Sequence, residues 1–201
     1  MGDQVWLERL ESTVLYQRIR NELNRQLVAF FKRTVISDKN TLRIAEVACG
    51  SGYASHLLAM EKGVALSIAA DINLFDHNQA NIDGFKASFI LMDIFHPSIQ
   101  PSSMDLVWNS SSIEEIENPE KAVRSMTRLV RQGGFVFVGV PYKYGIAGYM
   151  SRFINRSSRR WLGRVYDQQE LRDLLLAADL NIETSFFYLG HIFIGMLGRK
   201  C

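Results

Sequence analysis

Apolar positions recur at three- and four-residue spacing through the first part of the chain. Leu7, Leu10, Val14, Tyr16, Ile19, Leu23, Leu27 and Phe30 form one stripe, which predicts a long helical segment over Gln4 to Val35. Mixed charges such as Glu11, Arg18, Arg20 and Glu22 lie off that stripe. Two readings stay open: an amphipathic layer packed on a sheet, or a lid that brings Tyr16 to a binding site. After residue 40 the pattern changes to short apolar runs separated by helical spacing. Strands are predicted at Arg43–Ala48, Ala65–Ala70, Ala87–Met92, Met104–Asn109 and Phe135–Val140. Helices are predicted at Tyr53–Glu61, Leu74–Ala80, Pro119–Val130 and Asp167–Ala177. Asn181–Tyr188 and Ile192–Leu197 read as a closing antiparallel pair. This alternation predicts an α/β fold: a doubly wound, mostly parallel seven-stranded sheet with a C-terminal antiparallel hairpin strand and an N-terminal helical segment.

The first strand ends in Glu46-Val47-Ala48-Cys49-Gly50-Ser51-Gly52 and passes straight into helical spacing. A strand that turns on glycines into a helix leaves bare backbone N–H groups beside a ligand. A dinucleotide fingerprint needs a third glycine or alanine where Ser55 stands. Glu46 also argues against a pyrophosphate, because both charges are negative. It favours a cationic or amino-bearing ligand, and S-adenosylmethionine (SAM) carries a sulfonium and an α-amino group. The second apolar run ends in Asp71, about twenty residues past the turn, where a carboxylate meets the hydroxyls of an adenosine ribose. Asp71 also suits the start of a helix from Asn73 onward, and the two roles are compatible.

With these residues in hand, the chain resembles the class I, Rossmann-like SAM-dependent methyltransferases, close to the methyltransferase type 11 group. Glu46 to Gly52 resembles the family's acid-x-Gly-x-Gly-x-Gly loop, Asp105 to Ser110 its fourth strand, and Arg128 to Gly134 its turn into the fifth. Two positions depart from the pattern: Ala48 replaces the first glycine, and Glu115 stands where the family often has histidine. The resemblance implies SAM as cofactor, held by Glu46, Ala48, Cys49, Gly50, Gly52, Asp71, Ile72, Asp93, Ile94, Asn109, Ser110 and Tyr16. In it Asp93 accepts from the adenine amine while the backbone N–H of Ile94 meets a ring nitrogen. Ile72 packs on the adenine face, and Asn109 and Ser110 line the sulfonium end. Methyl transfer needs mainly alignment of nucleophile, carbon and sulfur. Candidates for chemistry are therefore few: Glu115, and His191 in the final hairpin turn.

Composition narrows the rest. The chain has 201 residues, 47% of them hydrophobic, which is enough for one cored domain over 1–201. No apolar stretch reaches the ~18 residues of a membrane span. No signal peptide is expected, and Trp6 stands where a myristoylation signal wants Ser or Thr. Two cysteines without C-x-x-C spacing, and His56, His77 and His96 without ligand spacing, predict no metal site. A reducing cytoplasm is the expected compartment. The segment 142–166 holds Lys143, Arg152, Arg156, Arg159, Arg160 and Arg164 and no acid, although the whole chain carries only +2. Aromatic residues are interleaved with it. It reads as a solvated insertion or as a lid that attracts an anionic or amphiphilic acceptor, or a membrane surface. A nucleic-acid acceptor is disfavoured, because the Asn/Asp-Pro-Pro-aromatic pattern of amino-methyltransferases is missing after the fourth strand. The function expected is methyl transfer from SAM to a small or amphiphilic molecule. Its rivals are a degenerate SAM-binding scaffold and, against Glu46, a nicotinamide-dependent oxidoreductase.

Overall fold

A computed structural model describes residues 14–38, 41–73, 84–149 and 163–201, with side chains from residue 18 onward. Helix α1 spans Val14–Thr34, and strand β1 follows at Leu42–Val47. Then come α2 (Tyr53–Ala59), β2 (Val64–Asp71), β3 (Ser88–Leu91) and β4 (Met104–Ser110). A 3₁₀ turn at Ile113–Glu115 leads to α3 (Pro119–Leu129), β5 (Val130–Pro141), α4 (Gln168–Leu176), β6 (Leu180–Tyr188) and β7 (Phe193–Lys200). The helix expected over Leu74–Ala80 and the side chain of Tyr16 lie outside the described residues.

The seven strands form one sheet in the order β3-β2-β1-β4-β5-β7-β6. β1 pairs parallel with β2 and β4, and β7 runs antiparallel between β5 and β6. The strand order reverses direction at β1, between β2 and β4. Ligands of open α/β sheets gather at that crevice, outside the carboxyl ends of the strands. The β6–β7 turn lies at the same end, because Pro141 at the end of β5 pairs with Phe193 at the start of β7.

Alternation along each strand sends side chains to two cores. Ala45, Val47, Val107, Val136 and Val138 pack with Met126 of α3 and Leu171 and Leu175 of α4. Ile44, Leu106, Trp108 and Phe137 pack on the other face with Leu27 and Phe31 of α1 and Leu58 of α2. So the N-terminal helix is a packed layer of the fold. Local chemistry fixes the helix starts. The Asn118 side chain accepts from the Lys121 N–H with Pro119 in the first turn, and Asp167 forms a capping box with Glu170.

The fifth strand begins at Val130 rather than Phe135. Val130 pairs with Met104 and Phe135 with Leu106, so the Arg131–Gly134 stretch bulges within the strand. The Gly133-Gly134 pair, expected as a turn before the strand, is that bulge. Gly133 adopts φ 74°, and a Cβ on Gly134 would lie 2.8 Å from the Asp105 carbonyl.

Phe137 sits edge-on to Phe31 at 5.2 Å and tilted against Phe30 at 5.5 Å. Gly195 of β7 lies directly behind it, and a Cβ there would collide with the Phe137 ring. A ring held from two sides cannot retreat, so Gly195→Ala is expected to cost about 1–3 kcal/mol. In a domain of this size that lowers the melting midpoint by about 2–4 °C per kcal/mol, read by calorimetry. An unchanged midpoint would refute this packing.

Candidate active site

The loop between β1 and α2 carries three left-handed residues in alternation: Ala48 (φ 51°), Gly50 (φ 53°) and Gly52 (φ 67°). A Cβ on Gly52 would lie 3.0 Å from the Ala69 Cβ, so only glycine fits there. Asp71, at the tip of the neighbouring β2, fixes the loop. Its carboxylate accepts from the Gly50 N–H at 2.8 Å and from the Asn73 N–H at 2.9 Å. The Cys49 N–H donates to the Ala70 carbonyl at 3.0 Å. A carboxylate offers about four acceptor positions, so two remain on Asp71 for a ligand.

Glu46 is buried behind this loop. The Ser55 hydroxyl donates to it at 2.6 Å, and the Ser67 hydroxyl donates in turn to the Ser55 carbonyl at 2.8 Å. Burial pushes the Glu46 carboxyl up to about 8, against the opposing pull of Ser55 and the Arg20 charge. Arg20 of α1 also donates to the Ser51 hydroxyl at 3.4 Å, which places a cation beside the loop.

Ile72, beyond Asp71, is 71% exposed, an apolar side chain outside the cores formed by the described residues. Asp93 accepts from the Phe95 N–H at 2.8 Å and lies 2.9 Å from His96 Nδ1. The His96 hydrogen bond, followed by the Phe95 N–H, holds its carboxyl below the usual range. Ile94 is half-buried against the core of α3 and α4, and Cys49 is buried beside Ala69.

Asn109 is fully buried and used at both ends. Its amide donates to the Val47 carbonyl at 2.6 Å and accepts from the Ile113 N–H at 3.2 Å. It ties the end of β4 to the glycine loop. The Ser112 hydroxyl adds a bond to the Ala48 carbonyl at 3.3 Å. Ser110 shares a hydrogen bond with the Tyr188 hydroxyl at 2.9 Å.

Of the two adjacent glutamates, Glu115 is exposed and Glu114 is buried. Glu114 Oε2 has no hydrogen-bond partner among the described residues. Burial, reinforced by the neighbouring Glu115 charge, pushes its carboxyl up to about 8. His191 is exposed at the β6–β7 turn with φ 64°, its ring 4.9 Å from Phe187. In the basic segment, Lys143 pairs with Asp167 at 3.1 Å and Glu170 at 3.4 Å, and Arg164 covers the Tyr166 ring at 4.8 Å. Arg152, Arg156, Arg159 and Arg160 lie outside the described residues.

Sequence reasoning passed over Arg20, Ser55, Glu114 and Tyr188. Arg20, expected off the apolar stripe of α1, is half-buried on the side of Leu23 and Leu27, while Ile19, expected on that stripe, is exposed. Ser55 lies between the buried Ala54 and Leu58 of α2. Nothing in the local pattern chooses Glu114 over Glu115.

Two outcomes follow. A non-glycine residue held left-handed costs about 1–2 kcal/mol, so Ala48→Gly is expected to stabilise the protein by about that amount. Equilibrium denaturation measures it, and a loss of stability would contradict the loop conformation. The second concerns pH. Glu46 and Glu114 sit above their ordinary value of 4.5, at about 8, so the folded state holds protons that the unfolded state releases between those limits. Their contribution is full below pH about 4.5 and is lost as pH rises through about 8. The melting midpoint of the ligand-free protein should therefore fall across this window, and Glu46→Gln should make the fall shallower. A wild-type midpoint that rises from about pH 6 to about pH 8 would sink both assignments.

The loop, two carboxylates with spare acceptor capacity and the exposed Ile72 fit the adenosyl and methionyl parts of SAM, and comparison with known proteins agrees. Residues 45–138 match the family model of a methyltransferase domain. The tocopherol O-methyltransferase of Arabidopsis thaliana is 27% identical over 106 residues, 50% of this chain and 30% of that protein. A ubiquinone biosynthesis O-methyltransferase of Rhizobium etli is 25% identical over 150 residues, 70% of this chain and 60% of that protein. The chain thus spans between 30% and 60% of the length of such curated relatives. A SAM-dependent methyltransferase of Thermotoga maritima, described as a possible histamine N-methyltransferase, superposes with TM-score 0.72 at 16% identity. That match covers 92% of this chain and 94% of the other. The magnesium protoporphyrin IX methyltransferase of Synechocystis, solved with bound S-adenosylhomocysteine, gives TM-score 0.72 at 14% identity over 100% of this chain and 94% of that one. Sheet order, the left-handed loop and the match of residues 45–138 to a methyltransferase domain together give this chain the fold and the cofactor loop of the class I, Rossmann-like SAM-dependent methyltransferases.

Proposed function

We propose that the chain transfers the SAM methyl group to an oxygen atom of a small or amphiphilic molecule. The observation that carries the cofactor side is the left-handed loop pinned by Asp71. Ala48, Cys49, Gly50 and Gly52 bring bare backbone to the methionyl part. Asp71 spends its two unused acceptor positions on the ribose hydroxyls. Ile72 covers one adenine face, and Asp93 and Ile94 mark its edge. The Glu46 carboxyl behind the loop and the Arg20 guanidinium beside Ser51 put an acceptor and a cation at the loop, which suits the amino and carboxylate groups of an amino acid. Asn109 holds the loop and the end of β4 together, and Ser110 faces the sulfonium end with Tyr188 behind it.

The acceptor side is read from charge and exposure. Tyr144, Ile146 and Tyr149 are exposed at the start of the basic segment, and no acid occurs from 142 to 166. That combination draws an anionic or amphiphilic molecule, or an anionic membrane surface, toward the carboxyl ends of the strands. The O-methyltransferase names of the two curated relatives support an oxygen acceptor. Among the described residues no helix is long and apolar enough to cross a membrane, and no His/Cys/Asp/Glu cluster could hold a metal ion.

Calorimetric titration with S-adenosylhomocysteine, with NAD as control, tests the reading. Wild type should bind the first at micromolar concentration and not the second. Asp71→Asn should weaken binding by about 10- to 100-fold, the scale of hydrogen bonds to a charged group. Failure of wild type to bind S-adenosylhomocysteine would leave a scaffold with a methyltransferase fold and no cofactor.

A further inference from the structure

We propose that Glu114 takes the acceptor's proton during methyl transfer, and that the acceptor presents a phenol-like hydroxyl to the unpaired polar groups of Glu114, Ser111 and Tyr166. This rests on reading the chain as an oxygen methyltransferase.

Three buried polar atoms at the ligand end have no hydrogen-bond partner among the described residues: Glu114 Oε2, Ser111 Oγ and the Tyr166 hydroxyl. Native structures rarely leave such atoms unpaired, because each has lost its water. Backbone hydrogen bonds set these three residues on adjoining segments. The Ser111 N–H donates to the Gly139 carbonyl at 2.9 Å, the Arg164 N–H to the Glu114 carbonyl at 3.0 Å, and the Tyr166 N–H to the Pro141 carbonyl at 3.0 Å. All three lie beyond the carboxyl ends of β4 and β5, on the side of β1 where an acceptor must approach the methyl group.

The chemistry of the set selects its ligand. It offers a carboxyl and two hydroxyls, a mixture of donors and acceptors that suits an O–H group. A carboxylate ligand would be repelled once Glu114 ionises. Aromatic rings stand close by: Tyr142 packs edge-on to Phe187 at 5.0 Å, and Tyr188 is buried behind Ser110. An aromatic alcohol satisfies both the orphaned polar atoms and these rings.

The charges around Glu114 are few. Glu115 is adjacent and raises its carboxyl. Tyr166 and Tyr188 are pushed up first by burial and then by the Glu114 charge. Arg164 turns its guanidinium over the Tyr166 ring and lies 4.0 Å from Glu170. Glu114 therefore ionises near pH 8, where it can accept a proton from a weak acid such as a phenol. SAM supplies a methyl group already activated on sulfur. The acceptor oxygen forms the bond to the methyl carbon, the carbon–sulfur bond breaks with its electron pair left on sulfur, and the hydroxyl proton passes to Glu114 Oε2.

The test uses the protein loaded with S-adenosylhomocysteine, with catechol as probe and 1,2-dimethoxybenzene as the analogue without a hydroxyl. S-adenosylhomocysteine should bind wild type and Glu114→Gln within about threefold of each other. Loss of its binding in wild type would instead remove the methyltransferase reading itself. Catechol should bind loaded wild type about tenfold more tightly at pH about 8.5 than at pH about 6.5, with no such change in Glu114→Gln, and the dimethoxy analogue should bind more weakly. Methyl transfer from SAM to catechol should follow the same pH profile and fall at least about 100-fold in the variant. No catechol binding to loaded wild type, or the same pH dependence in both proteins, overturns the proposal. Should Glu114→Gln not fold, carboxyl carbon NMR of wild type takes its place. The glutamate resonance titrating near pH 8 that remains when Glu46→Gln removes the other must move when catechol is added, and one that stays fixed overturns the proposal.

Discussion

The two hydrogen bonds accepted by Asp71 are the constraint on which the rest of this site depends. Three left-handed residues in five are not a conformation that a chain holds unaided, least of all with an alanine among them. The parallel register of β1 and β2 places Val47 beside Ala70, and so delivers the Asp71 carboxylate to the loop that follows. The Gly50 N–H meets one oxygen and the Asn73 N–H the other. Sheet pairing, loop shape and the proposed ribose contact are therefore one arrangement and cannot be varied separately.

Burial gives the carboxyl groups of this end different characters. Asp93 is partly exposed and hydrogen-bonded, and stays ionised. Glu46 and Glu114 are sealed away and keep their protons at neutral pH. The ligand end is thus less negative than its sequence suggests. A cationic ligand must displace the Glu46 proton before it meets a charge. Arg20 already shifts that balance towards ionisation, which is why the N-terminal helix matters to the site as well as to the core.

The sheet was legible because apolar runs, their spacing and their turn residues all act locally. All seven strands and the helices within the described residues lie close to their expected ranges. The start of the fifth strand was not legible. Gly133-Gly134 carries a turn signature, and only the pairing of Val130 with Met104 reveals a bulge. At the site, Glu46, Gly50, Gly52 and Asp71 could be read from strand ends and spacing. The burial of Glu114 could not, because a single 3₁₀ turn after a strand takes its orientation from Asn109 and from the 163–166 backbone that lies against it. Asn109 shows the same limit. Its position was readable, but its double backbone bond depends on a partner far away in sequence.

Strand β7 follows β6 in the chain yet lies between β6 and the rest of the sheet. As the polypeptide emerges from a ribosome, β1 to β5 can assemble early while the edge of β5, with Phe137 and Val138, stays bare. β6 then has nothing to join until β7 arrives and bonds to both neighbours at once. The same step closes the aromatic layer in which Phe30 stacks on Phe186 at 4.7 Å. Nascent chains of this protein therefore carry an open, apolar strand edge from the completion of β5 until β7 is made, and are most exposed to chaperones and to self-association in that interval.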